Sequence, residues 1–147
     1  MLKSRKTSGF TLIEILVVVA LIAILAAITF IAINPNKNFA DARNTARSSD
    51  VREILNAITQ YTAEQNRTVN QLGTVPTCPG FVTIGTQTDN GNINLATNLV
   101  PSFIVGIPKD PSIGSDAMTG YVMCQESGRV TVSAPSAENG KIITVKR

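Results

Sequence analysis

The sequence contains no histidine, no tryptophan and only two cysteines. Without histidine there is no Ser-His-Asp triad and no Cys-His dyad, and two cysteines cannot complete a four-ligand zinc site by themselves. A phosphate-binding loop of the G-x-x-x-x-G-K-[ST] kind is also missing, so nucleotide hydrolysis has no support. Charged side chains make up only 16% of the chain against 44% hydrophobic ones, a balance that excludes wholesale disorder. Acids are absent from the start: none precedes Glu14, whereas Lys3, Arg5 and Lys6 all fall before residue 10. Elsewhere ten basic and ten acidic side chains balance, so the formal charge of +3 and the pI near 9.1 belong to the amino terminus. No broad basic surface remains to argue for nucleic acid. With 147 residues the chain has room for one domain and an extension.

What is present begins with an apolar run. Ile15 to Ile33 reads ILVVVALIAILAAITFIAI, with Thr29 its only polar member, and with Phe10 to Glu14 in front the stretch is 24 residues. At about 1.5 Å per residue it reaches roughly 36 Å, enough to cross a hydrocarbon core of about 30 Å with some tilt. The basic cluster before it places the amino terminus in the cytoplasm and the remainder outside. A soluble core helix rarely stays apolar around its whole circumference for five turns. A removable secretory signal also has basic residues followed by apolar ones, but here the run is too long and no A-x-A site closes it. The run is therefore expected to be retained as a single-pass anchor. Glu14 is its anomaly, because a carboxylate in a membrane-length run costs about 2.5–3.5 kcal/mol on insertion scales. It either snorkels to the headgroups from one turn inside the run or has a specific partner.

The stretch Lys3-Ser4-Arg5-Lys6-Thr7-Ser8-Gly9-Phe10-Thr11-Leu12-Ile13-Glu14, running straight into Ile15-Leu16-Val17-Val18-Val19, resembles the class III signal of type IV prepilins and of type II secretion pseudopilins. The resemblance covers Lys3 to roughly Ile33. It implies a leader, residues 1–9, removed after Gly9 by a membrane-embedded prepilin peptidase on the cytoplasmic side, followed by N-methylation of Phe10. It implies that residues 10–33 serve first as the membrane anchor and then as the core of a helical homo-oligomeric fibre built by an assembly platform and a separate cytoplasmic ATPase. It also implies that Glu14 meets the Phe10 amine of a neighbouring subunit. That pairing has an independent physical basis. An α-amine with a reference pKa of about 7.7–8 is largely cationic at neutral pH, and opposite charges attract strongly in a low-dielectric setting. An uncut precursor lacks the amine and carries Lys3, Arg5 and Lys6 instead, so cleavage would license assembly.

Pro35, flanked by Asn34 and Asn36, predicts a kink or break just beyond the apolar run. Residues 34–66 read as an amphipathic helix that Asn38 or Asp41 would cap. Val51, Ile54, Leu55, Ile58 and Tyr61 recur at helical spacing, Ala42 and Ala46 extend the stripe, and Arg43, Arg47, Asp50, Arg52 and Glu53 form the wet side. On that wet side Asn44, Arg47 and Asp50 are either inter-subunit contacts or simply solvated.

Residues 67–147 shift to Thr, Asn, Gly, Pro and β-branched types. Strands are expected at Phe81–Ile84, Gly120–Cys124, Val130–Ser133 and Ile142–Lys146, with turns at Gly128 and Asn139-Gly140, giving an antiparallel meander packed on the Val51–Tyr61 stripe. Gly85–Ser115 reads as variable surface loop. Cys78 and Cys124, facing an oxidising compartment, are expected to pair. The fold class is thus α+β: a long amino-terminal helix on a small antiparallel sheet, the pilin lollipop. Pro108-Lys109-Asp110-Pro111 with Gly120-Tyr121 resembles the loop of major pseudopilins, some of which bind calcium. Asp110 and Asp116 could supply oxygens there, against the alternative of a plain proline turn. Asn66-Arg67-Thr68 fits an N-glycosylation tripeptide, a pattern that also arises freely. No catalytic constellation, cofactor or resident metal is expected. The function expected is a type IV pilus subunit in the inner membrane and then in a surface fibre. The alternatives are a pseudopilin of a secretion or DNA-uptake machine and, from another class, a single-pass anchored binding domain.

Overall fold

The computed structural model describes residues 9–64, 67–87 and 91–147, and at residue 33 the backbone alone. Lys3, Arg5 and Lys6 of the leader and Asn66 of the glycosylation tripeptide lie outside these residues. The chain divides into two compact units, Met1–Asn38 and Phe39–Arg147.

The first unit holds helix α1, Leu12–Ile33. It has no glycine or proline inside and is long and apolar enough over Leu12–Ala32 to cross a membrane. Thr11 starts it as an N-cap, and its hydroxyl accepts from the Glu14 N–H. Asn34, in the left-handed region at φ 42, ends it. Pro35 then opens helix α2, Pro35–Ala63, at the position where a missing N–H costs nothing. The Asn34 carbonyl accepts from the N–H groups of Lys37 and Asn38, and its Oδ1 from Lys37. Asn34 therefore caps this helix; Asn38 and Asp41 lie inside it. The expectation that either would cap it is corrected.

In the second unit α2 buries Ala40, Asn44, Arg47, Val51, Ile54, Leu55, Ala57, Ile58 and Tyr61. Five strands follow: β1 Val82–Gly85, β2 Ile93–Asn94, β3 Val122–Glu126, β4 Arg129–Ser133 and β5 Thr144–Lys146. They form one sheet in the order β2-β1-β3-β4-β5. The β1–β3, β3–β4 and β4–β5 pairs are antiparallel, with Met123 opposite Val132 and Val132 opposite Val145. The β1–β2 pair is parallel, Ile84 against Ile93. The sheet is mixed, not purely antiparallel, because the chain crosses over between β1 and β2 without a hairpin. Ser127 (φ 51) and Gly128 (φ 77) make the two-residue β3–β4 turn, whose two positive φ values are those of a type I′ hairpin.

The core joins Val51, Ile54, Leu55, Ile58 and Tyr61 of α2 to Ile84, Tyr121, Met123, Val130 and Val132 of the sheet region. Each fully buried aliphatic side chain there contributes about 1.5–3 kcal/mol of transfer free energy. The segment expected as variable surface loop is corrected here: Ile93, Leu95, Leu99, Ile104 and Ile107 are all buried in the same cluster. Asn94 makes this possible by capping the short helix α3, Ala96–Leu99, its Oδ1 accepting from the N–H groups of Ala96 and Thr97. That turn drives Leu95 and Leu99 inward.

Candidate functional site

At the start of α1 the side chains that matter stand in the open. Phe10 is 85% exposed. A Cβ on Gly9 would meet nothing within 4 Å, so its own fold does not demand a glycine there; a glycine that packing does not require is available to an enzyme that must approach the backbone closely. Glu14 sits one turn into the helix as the third residue of a capping box. Its Oε2 accepts from the Thr11 N–H at 2.7 Å and from the Thr11 hydroxyl at 2.8 Å. Among the described residues its Oε1 receives no hydrogen bond. One carboxylate oxygen is held by the chain itself and the other is open, beside an apolar surface made by Phe10, Ile13, Val17 and Val18. The helix amino terminus adds positive potential at the same place. Thr11 was missed as a participant by sequence reasoning, although the pattern of threonine followed three residues later by glutamate is the capping-box signature.

The second unit carries a polar cluster that the sequence reading placed in solvent. Arg47 is fully buried. Its Nε donates to Asp110 Oδ2 at 2.7 Å and its Nη2 to Asp110 Oδ1 at 3.1 Å. Nη2 also donates to the Ser112 hydroxyl at 2.6 Å, and Nη1 donates to Glu138 Oε2 at 2.7 Å and Asn44 Oδ1 at 3.1 Å. Arg43 binds the same Glu138 through Nε and Nη2 at 2.7 and 2.6 Å. Asn44 closes a reciprocal pair with the Glu138 backbone, donating to its carbonyl and accepting from its N–H, both at 2.9 Å. The wet-side reading of Arg47 and Asn44 is corrected. The buried stripe runs back from Val51 through Arg47, Asn44 and Ala40, while Ala42 and Ala46 are exposed. Burial is tolerated because every donor has a partner. Asp50 accepts from the buried Tyr121 hydroxyl at 2.5 Å.

The electrostatics follow from these contacts. Burial alone would raise the Asp110 carboxyl, but Arg47, the Ser112 hydroxyl and the N–H groups of Ser112 and Ile113 outweigh it and hold it below the usual carboxylate range. The hydrogen bond to Asp110 raises Arg47 against the opposing effect of burial. Arg43 and then Arg47 lower Glu138 to about 2. Burial, and then donation to Asp50, pushes the Tyr121 hydroxyl up.

The two carboxylates Asp110 and Asp116 have different partners. Both Asp110 oxygens are engaged by a guanidinium, and Asp116 is 86% exposed and paired with Lys109. The two carboxylates are not assembled into a site, and no group of three or more metal-binding side chains occurs among the described residues. The loop is held by Gly120 as well. It sits at φ 83, and a Cβ there would come within 2.8 Å of the Asp110 Cβ. Cys78 and Cys124 are joined in a disulfide. It fastens the segment entering β1 to β3, beside the Cys78 N–H that donates to the Gln125 carbonyl and the Gln125 N–H that donates to the Pro76 carbonyl.

An exposed apolar helix long enough to cross a membrane, followed by a second helix and a small sheet, fits the class of single-pass, membrane-anchored proteins. Residues 4–30 match the family model described as the prokaryotic N-terminal methylation motif. Over 66 residues the chain is 35% identical to the type II secretion system core protein G of Aeromonas hydrophila, the alignment covering 45% of each chain. The chain thus spans about half the length of the curated relative it matches. No solved structure matches it. The amino-terminal segment thus carries a prepilin-type methylation motif, and the chain as a whole is α+β.

Proposed function

We propose that this chain is a structural subunit of a type IV pilus, whose activity is to polymerise and not to catalyse. It is cut after Gly9, methylated on Phe10, held in the cytoplasmic membrane by α1 and then drawn into a helical fibre whose core is α1. The observation that carries this reading is the start of α1. An apolar helix, exposed along its described length, bears one carboxylate with an open oxygen at the point where cleavage would create an amine. Such a surface is stable in lipid or against copies of itself, and a charge inside it calls for a counter-charge. The partners implied are further copies of the chain, a prepilin peptidase, an assembly platform with its ATPase and, before assembly, membrane lipid.

Mass spectrometry of the mature chain from a peptidase-competent cell is expected to show N-methylated Phe10 as its first residue. An intact Met1 terminus would overturn the reading. A second reading, the pseudopilin of a type II secretion machine, is favoured by the similarity to core protein G. Deleting the gene separates the two: loss of surface fibres with normal protein export supports the pilus, and retained export substrates in the periplasm support the pseudopilus.

A further inference from the structure

The turn between β4 and β5 carries chemistry that neither anchoring nor polymerisation uses. Asn139 and Gly140 stand at its tip with φ 55 and 69, closed by the Lys141 N–H donating to the Glu138 carbonyl at 3.1 Å. Both are exposed, and a Cβ on Gly140 would meet nothing within 4 Å, so the space around its nitrogen is open. Among the described residues the Gly140 N–H donates to no carbonyl, and Asn139 is one of two asparagines followed by glycine, the other being Asn90, which lies outside the described residues. Asparagine is a chemically labile residue, and glycine as its successor presents a nitrogen unshielded by any side chain.

We propose that Asn139 is a site of spontaneous deamidation that makes the protein more acidic with age. The Gly140 backbone nitrogen attacks Asn139 Cγ. The N–Cγ bond forms, the Cγ–Nδ2 bond breaks, the Gly140 amide proton passes through water to the departing nitrogen, and ammonia leaves. Water then opens the succinimide at either carbonyl, leaving an aspartyl or isoaspartyl residue at position 139. Ring closure requires the turn to open, which breaks the Lys141–Glu138 turn bond and the 3.2 Å bond from Asn139 Nδ2 to Asp41 Oδ1. The opening stays local. Glu138 is held by Arg43, Asn44 and Arg47 on one side, and Ile143 is buried on the other.

The product places a carboxylate beside Asp41, a residue that Lys141 already pairs at 3.3 Å. The larger consequence rests on the proposed function. Once Lys3, Arg5 and Lys6 are removed, ten basic and ten acidic side chains remain. A neutral subunit then becomes an anion, and a homopolymer multiplies that charge along its length, opposing lateral association of ageing fibres.

The test is made on the full chain in detergent, incubated at mildly alkaline pH and digested with trypsin. The peptide between Arg129 and Lys141 contains no asparagine other than Asn139. It is expected to split into two heavier isoforms, one co-eluting with the peptide of Asn139→Asp. Asn139→Ser is expected to abolish the split, that peptide eluting as a single species. A peptide that stays intact while that of the reduced, denatured chain converts would overturn the site. Conversion in a chain that never forms fibres would sink the proposed function and leave the site standing.

Discussion

Replacing Arg47 by alanine tests whether the buried cluster holds the second unit together. The guanidinium has no exposed side-chain surface and makes five hydrogen bonds, two to Asp110, one each to Ser112, Asn44 and Glu138. Removing it leaves Asp110, equally buried, with the Ser112 and Ile113 donors but without a counter-charge. Breaking a buried pair from one side costs about 3–5 kcal/mol. The contribution through Glu138 is small, because that group is partly exposed and keeps Arg43. Thermal unfolding of the full chain in detergent, followed by circular dichroism, reads the effect against the constant helical signal of α1. With about 4–8 °C per kcal/mol for a domain of this size, the midpoint is expected to fall by roughly 12 °C or more. Arg47→Lys retains the charge without the planar fork and is expected to recover only part of the loss. Arg47→Met combined with Asp110→Leu removes both charges and is expected to lie nearer the parent than Arg47→Ala does. A midpoint for Arg47→Ala within about 2 °C of the parent would refute the reasoning, since no buried, uncompensated carboxylate can be that cheap.

Glu14→Ala is expected to be cut and methylated normally but to yield few fibres; normal fibre counts by electron microscopy would remove the charge-pair mechanism. The Glu138 carboxyl, lowered to about 2, and the likewise lowered Asp110 contribute stability that is present above their unfolded values and lost as protons bind at low pH. Melting midpoints should therefore be flat from neutrality to about pH 5 and fall between about pH 4.5 and pH 2; a midpoint that rises with acid would contradict the assignment. Cys78→Ser opens a disulfide of sequence separation 46. It is expected to cost about 4 kcal/mol on the chain-entropy account, read as a lower denaturant midpoint with a steeper slope, because the unfolded chain loses its cross-link.

What could be read from the chain alone depended on whether pattern and residue type agreed. Val51, Ile54, Leu55, Ile58 and Tyr61 are apolar and helically spaced, so the stripe and its burial were visible. The same spacing continues through Arg47, Asn44 and Ala40, yet two of these are polar, and a reading by residue type sent them to solvent. Their partners explain the reversal. Glu138 and Asp110 lie 91 and 63 positions from Arg47, and no local pattern connects them. Strand β2 is two residues long, below any alternation that could be recognised. Leu95, Leu99, Ile104 and Ile107 are spaced too irregularly to declare a core face. The threonine and asparagine around them read as loop, although Asn94 is the cap that turns Leu95 and Leu99 inward. By contrast Gly9, Phe10 and Glu14 carry a signal in identity and spacing, and residues 4–30 match the prokaryotic N-terminal methylation motif.

The capping box changes how the Glu14 pairing should be understood. From composition alone the carboxylate looks stranded in lipid, and the amine created by cleavage looks like its rescue. The geometry shows a group already partly satisfied: Thr11 supplies two donors to Oε2, and one of them is a backbone N–H that cleavage between Gly9 and Phe10 leaves in place. On the proposed function, the subunit can therefore wait in the membrane without a partner, at a cost well below that of a bare carboxylate. An incoming amine need not displace Thr11, because Oε1 remains open among the described residues. Pairing adds a charge-assisted bond to an oxygen already oriented by its neighbour. The local cap fixes where the charge points, so on the proposed function the stagger between subunits is set by a preorganised acceptor and not by a flexible side chain searching for a cation.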